Sequence, residues 1–175
     1  MASSGFVDDV LLDGSTPCRR TICGGMAMIE VDAEARSAAP PERVWALLAD
    51  ARSWTRWAGF DDVQVEGGEG VGEIRRNRRG RITGRDRVVV LEAPRHYAYE
   101  STSALPVRDY RGDVTLTPTP DAGTHIRWHS RFAAKIPGTG WLLRRGLRRF
   151  LGELADGLAR EAERDARSSE ARYES

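Results

Sequence analysis

The chain has 175 residues, a net charge of +1 and 30% charged residues, the size and composition of one globular domain with modest extensions. A chain of this length buries a core without disulfides or metals, and its near-zero charge argues against a general nucleic-acid binder. Lys135 is the only lysine, so arginine carries almost all the positive charge.

Residues 1–27 are polar and irregular, with no basic start followed by an apolar stretch, so they are not read as a secretory signal. Cys18 and Cys23 lack a second ligand pair for zinc and are read as incidental. They demand no oxidising compartment, and the expected location is the cytoplasm. Gly24-Gly25 precedes Met26 and Met28, either of which is a candidate translation start. The ordered domain is expected over 28–164, with an irregular tail before it and a frayed tail over 165–175.

Met28 to Ser37 alternates apolar and polar side chains, the pattern of a half-buried strand. Pro41 suits a first helical turn, and Val44, Leu47 and Leu48 form one face of a short helix. Trp54 to Trp57 reads as one further turn. Strands follow around Val63–Val65, Val71–Arg78, Arg81–Glu92, His96–Thr102, Asp109–Thr117 and Thr124–Ala133, joined mainly by tight turns. Tyr110, Gly112, Val114 and Leu116 share one face, as do Ile126, Trp128, Ser130 and Phe132. From Thr139 to Arg164 the period becomes helical, with Leu143, Leu147, Phe150, Leu151, Leu154 and Leu158 at intervals of three and four. Gly146, Gly152 and Gly157 weaken this helix by up to about 1 kcal/mol each relative to alanine, so it must lie against the sheet. Consecutive short-linked strands form an antiparallel meander, which the last helix covers on one face.

Four segments carry a family resemblance. They are Ala39 to Leu48 with Trp54 and Trp57; Gly70-Val71-Gly72; the Val88–Tyr99 unit interrupted by Ala93-Pro94; and Gly123-Thr124-His125-Ile126-Arg127-Trp128 ahead of the long helix. In this order the chain resembles the START-like, helix-grip (SRPBCC) superfamily, and within it the bacterial polyketide cyclase/dehydrase and lipid-transport type proteins. The resemblance spans Met28 to Ala162. It implies an α+β fold: a seven-stranded antiparallel sheet wrapped around a long C-terminal helix, with two short helices after the first strand. It also implies an apolar cavity between sheet and helix. Members bind lipids, hormones, sterols, polyketides or aromatic metabolites, and a minority catalyse cyclisation or dehydration.

The expected cavity lining is Trp57, Phe60, Tyr97, Tyr99, Tyr110, Trp128, Phe132, Leu143, Leu147, Phe150 and Leu154, with Ser130 on the inward face of Trp128. Arg85 and Arg87 share a strand face and are the candidate groups for orienting a ligand carbonyl or carboxylate. His125 and His129 alternate with the inward face and should point away from the cavity, while His96 is expected to be exposed. No nucleophile–base pair, phosphate loop or metal cluster appears, so no catalytic residue, metal or cofactor is assigned. Loops near Arg79-Gly80 and Leu105-Pro106 should gate entry. Arg144, Arg145, Arg148 and Arg149 lie along one helix side and are candidates for weak contact with an anionic membrane surface. No apolar run reaches the roughly 20 residues of a membrane span.

The leading expectation is a carrier or sensor that holds a hydrophobic small molecule. The alternatives are a polyketide cyclase/aromatase or dehydratase working in the same cavity, and a protein-interaction module with a solid core.

Overall fold

Each strand expected from the sequence forms, although residues 71–73 of the expected Val71–Arg78 strand lie in the turn ahead of Ile74. The computed structural model describes residues 28–103 and 106–173, so Cys18, Cys23, Met26 and Leu105 lie outside the described residues. Strand β1 (Ile29–Ser37) is followed by helix α1 (Pro41–Ala49), a 3-10 turn at Ala51–Ser53 and the single-turn helix α2 (Trp54–Trp57). Strands β2 (Asp62–Gly67), β3 (Ile74–Arg79), β4 (Ile82–Glu92), β5 (His96–Ser103), β6 (Val107–Pro118) and β7 (Thr124–Ala134) then form the meander. The chain ends in helix α3 (Gly140–Tyr173).

The seven strands form one antiparallel sheet in the order β1-β7-β6-β5-β4-β3-β2. Pairing β1 with β7 brings the N-terminal strand beside the last one, and α3 packs across both. The inward residues of β6 and β7 are those that alternation selects: Tyr110, Gly112, Val114 and Leu116, and Ile126, Trp128, Ser130 and Phe132, are all buried. On α3 the buried stripe is Leu147, Leu151, Leu154, Ala155, Leu158, Ala159 and Ala162.

Pro41 occupies the first turn of α1, as proline should. The tryptophans after α1 tie the two short helices together. Trp54 Nε1 donates to Leu48 O at 3.0 Å, and Trp57 Nε1 donates to Ser53 Oγ at 2.9 Å. Gly157 is where α3 meets this unit, because a Cβ there would lie 2.2 Å from the Trp57 carbonyl oxygen. The glycine that weakens the isolated helix is therefore the one that lets it dock.

The expected frayed tail after Arg164 is a correction, since α3 continues to Tyr173. Tertiary partners hold the added turns: Arg43 donates to Ser169 Oγ at 3.0 Å, Arg56 pairs with Glu161 and Asp165, and Ala166 packs on the core.

Candidate functional site

Between the concave sheet and the first half of α3 lies a cavity of about 430 Å³. This falls within the roughly 300–1,000 Å³ usual for small-molecule pockets. Its walls are mostly apolar. Trp54 and Phe60 close one side, and Leu142, Leu143, Leu147, Phe150 and Leu154 contribute from α3. Gly84 and Gly146 face it without side chains, and this absence leaves part of the space open. Ile82 and Leu142, both more than half exposed, mark the mouth between the β3–β4 hairpin and the start of α3. Arg79 stands beside them, its guanidinium 5.4 Å from the Phe150 ring centre and 3.2 Å from Glu153.

Half of the polar side chains of the wall come from one cross-strand row. Pairing aligns Arg75 with Asp86, Asp86 with Ser101, and Ser101 with Tyr110. Asp86, Ser101 and Tyr110 line the cavity, together with Asn77 and Tyr99. Asp86 is 7% exposed, and the Asn77 amide donates to its carboxylate. Burial pushes the Asp86 carboxyl up to about 6, against the opposing pull of the Ser101 hydrogen bond, the Arg75 charge and the Asn77 hydrogen bond. Such a group exchanges its proton near neutrality.

A second row aligns Val88, Tyr99, Gly112 and Ser130. A Cβ on Gly112 would lie 2.6 Å from the Tyr99 ring, so this glycine lets the ring lie across β6. The Trp128 indole donates to the Tyr99 hydroxyl at 3.2 Å, the Tyr99 and Tyr110 hydroxyls are 3.4 Å apart, and Tyr110 meets Ser130 Oγ at 2.9 Å. Burial raises both phenols above their ordinary value, so they remain neutral hydrogen-bonding groups.

Arg75 supports this wall from behind. It is 2% exposed, it lies 5.5 Å from the Trp54 ring centre and 5.3 Å from that of Tyr97, and it pairs with Glu73. Its guanidinium also donates to the carbonyls of Leu48 and Ala49 at the end of α1. That geometry satisfies carbonyls a helix terminus leaves open.

Of the expected lining, Phe60, Tyr99, Tyr110, Leu143, Leu147, Phe150 and Leu154 face the cavity. Trp57, Tyr97, Trp128, Ser130 and Phe132 are buried in the core around it instead, and Trp54 takes the place expected for Trp57. Arg85 and Arg87 are corrections. Both lie exposed on the outer face, where Arg85 pairs with Glu66 at 2.8 Å and the two border a groove with Glu100, Arg111 and Arg131. Asp86, between them, is the residue that points inward. Alternation back from inward-facing Val88 puts Asp86 on the same face, a signal available in the sequence and missed. Asn77 and Ser101 were missed as well. His125 and His129 point away from the cavity as expected, 3.4 Å from Glu34 and 3.2 Å from Asp32. His96 is half-buried rather than exposed and lies 3.0 Å from Asp113.

Residues 28–163 match the family described as polyketide cyclase/dehydrase and lipid transport. The chain belongs to this family. Solved structures share its helix-grip fold. The Zhui aromatase/cyclase from Streptomyces sp. R1128 is 21% identical with a TM-score of 0.71, over 82% of this chain and 98% of that one. A START superfamily protein from Mycobacterium smegmatis is 13% identical with a TM-score of 0.67, over 77% and 97%. Norcoclaurine synthase from Thalictrum flavum, solved as a point mutant, is 14% identical with a TM-score of 0.65, over 81% and 98%. At these identities the likeness is one of fold. No protein of curated function matches the sequence. Among the described residues no helix is long and apolar enough to cross a membrane, and no cluster of metal-ligating side chains occurs.

Proposed function

We propose that this member of the family binds an uncharged, largely apolar small molecule in the cavity between the sheet and α3. The observation that carries the reading is the cavity itself, about 430 Å³ of space walled by leucines and aromatic rings and open at one end. Burying apolar ligand surface there contributes about 25 cal/mol per Å² before ordering costs. The carboxyl of Asp86 and the hydroxyls of Ser101, Tyr99 and Tyr110 supply the few polar contacts that orient it. Titration with the uncharged fluorophore N-phenyl-1-naphthylamine tests this. Gly84→Leu projects a side chain into the cavity, because residue 84 shares the inward face of Asp86 and Val88. Loss of fluorophore binding with an unchanged melting temperature is expected. Equal binding by both proteins would reject the cavity as the site.

One observation favours a second reading, cyclase-type chemistry on the bound molecule. Asp86 is a buried carboxyl whose proton affinity lies close to neutrality, on the wall of a largely apolar cavity. Placed beside a ketone, its carboxylate takes a proton from the adjacent carbon, and a neutral phenol stabilises the enolate oxygen. Tyr110 sits two strands away from Asp86, about 10 Å at the backbone, with Ser101 between them in the same row, and all three border the cavity that would hold the ligand. The test is deuterium exchange into 2-tetralone followed by NMR. Exchange accelerated by the wild type and lost in Asp86→Asn supports the reading, and equal rates for the two proteins refute it.

A further inference from the structure

Four large apolar side chains stand in water at the cavity-mouth end of the fold: Ile82 on the β3–β4 hairpin, Ile136 before α3, and Trp141 and Leu142 on its first turn. Ile82 and Leu142 form the rim of the mouth itself. Trp141 is 71% exposed, whereas Trp54, Trp57 and Trp128 are each 7% exposed or less. A single exposed hydrophobic residue needs no explanation, but a group of them around one opening does.

The charge around this group is predominantly positive, with Glu30 in the groove and Glu153, which pairs with Arg79 and Arg149, as the neighbouring carboxylates. Between Gly140 and Gly152, α3 carries Arg144, Arg145, Arg148 and Arg149 and no carboxylate. Arg144, Arg145 and Arg148 make no ion pair among the described residues, and together with Trp141 they border a shallow groove beside the mouth. The hairpin tip adds Arg79 and Arg81. An apolar tip ringed by arginines matches an anionic bilayer in both respects. Apolar side chains enter the boundary between headgroups and acyl chains, and guanidinium groups meet the lipid phosphates.

We infer that the protein docks mouth-first on an anionic lipid surface, with Trp141, Leu142 and Ile82 entering the interface and Arg144, Arg145 and Arg148 on the headgroups. This stands on surface residues alone and goes beyond the identity of any cavity ligand. Its consequence is that an apolar molecule passes between bilayer and cavity without crossing water.

The test uses the full chain with vesicles of phosphatidylcholine alone, and of phosphatidylcholine mixed with phosphatidylglycerol. Co-sedimentation with the mixed vesicles, weakened by salt, is expected. Tryptophan emission should shift to the blue and be quenched by acyl-chain-brominated lipid, and Trp141→Ala should lose that quenching. Leu142→Glu, and Arg144→Glu with Arg148→Glu, should each lower partitioning about tenfold or more. All these positions are exposed, so melting temperatures should not change. Absence of binding to either vesicle overturns the inference. So does binding in which Trp141 remains unquenched, or binding that is indifferent to the arginine reversals. Self-association abolished by Trp141→Ala, without vesicle binding, overturns it in favour of a second copy of the chain on this face.

Discussion

Replacing Asp86 by Asn removes the single carboxyl among the cavity-lining residues at nearly constant shape. Its proton affinity rises from the ordinary 3.8 to about 6 in the folded protein, chiefly because burial disfavours the charge. At 1.36 kcal/mol per tenfold change, the folded state loses about 3 kcal/mol when this group ionises. The sign follows from proton counting. Between about pH 4 and about pH 6 the unfolded chain has released this proton while the folded chain still holds it, so stability falls as pH rises through that window. Above it the loss is constant. Asp86→Asn cannot ionise and still offers Asn77 and Ser101 an acceptor. It should match the wild type near pH 4 and exceed it by up to about 3 kcal/mol near pH 7. Urea unfolding of both proteins across this range measures the difference, and subtracting one curve from the other cancels the remaining carboxylates. A difference that does not change with pH, or a variant weaker than the wild type at pH 7, would refute the reasoning. A carboxyl that lowers stability where it lies points to a role toward the ligand.

Gly146 and Gly157 share a helix and differ in what a Cβ would meet. Nothing lies within 4 Å at Gly146, so Gly146→Ala should gain the helix-propensity difference of about 1 kcal/mol and raise the melting temperature by about 2–4 °C. Gly157→Ala forces a methyl group against the Trp57 carbonyl and should instead lose about 1–3 kcal/mol. Calorimetry showing both variants shifted in one direction would contradict the docking geometry. Tyr99→Phe leaves the buried Trp128 indole without its acceptor and should cost about 1–3 kcal/mol in urea unfolding. Trp128 lies in the core and not on the cavity wall, so Trp128→Ala should act through stability, losing about 3–5 kcal/mol.

The fold was legible because each of its elements carries its own period. The alternations that end in Leu116 on β6 and Phe132 on β7 predict their buried faces residue by residue, and the leucine spacing of α3 predicts its stripe. The end of α3 was not legible, because the turns after Arg164 are held by Arg43 and Arg56 on distant elements. The cavity was half legible. Alternation tells which face a residue occupies but not its depth between sheet and helix. Tyr99 and Trp128 therefore look alike in the sequence, while one lines the cavity and the other lies beneath it. The polar wall was hidden for a different reason. Strand β3 reads Ile-Arg-Arg-Asn-Arg-Arg, with arginine on both faces, so no hydrophobic contrast marks Arg75 and Asn77 as inward. Asp86 stands between Arg85 and Arg87, and an inward role for those two implies the opposite face for Asp86.

By itself the sequence determined the order of elements, their faces and the family, because these follow from local periodicity and short connections. Only the tertiary structure decided where the helix stands clear of the sheet and which polar groups meet there. The register of β3, β4, β5 and β6 aligns Arg75, Asp86, Ser101 and Tyr110 across four strands, and residues far apart in the chain become neighbours only through that pairing.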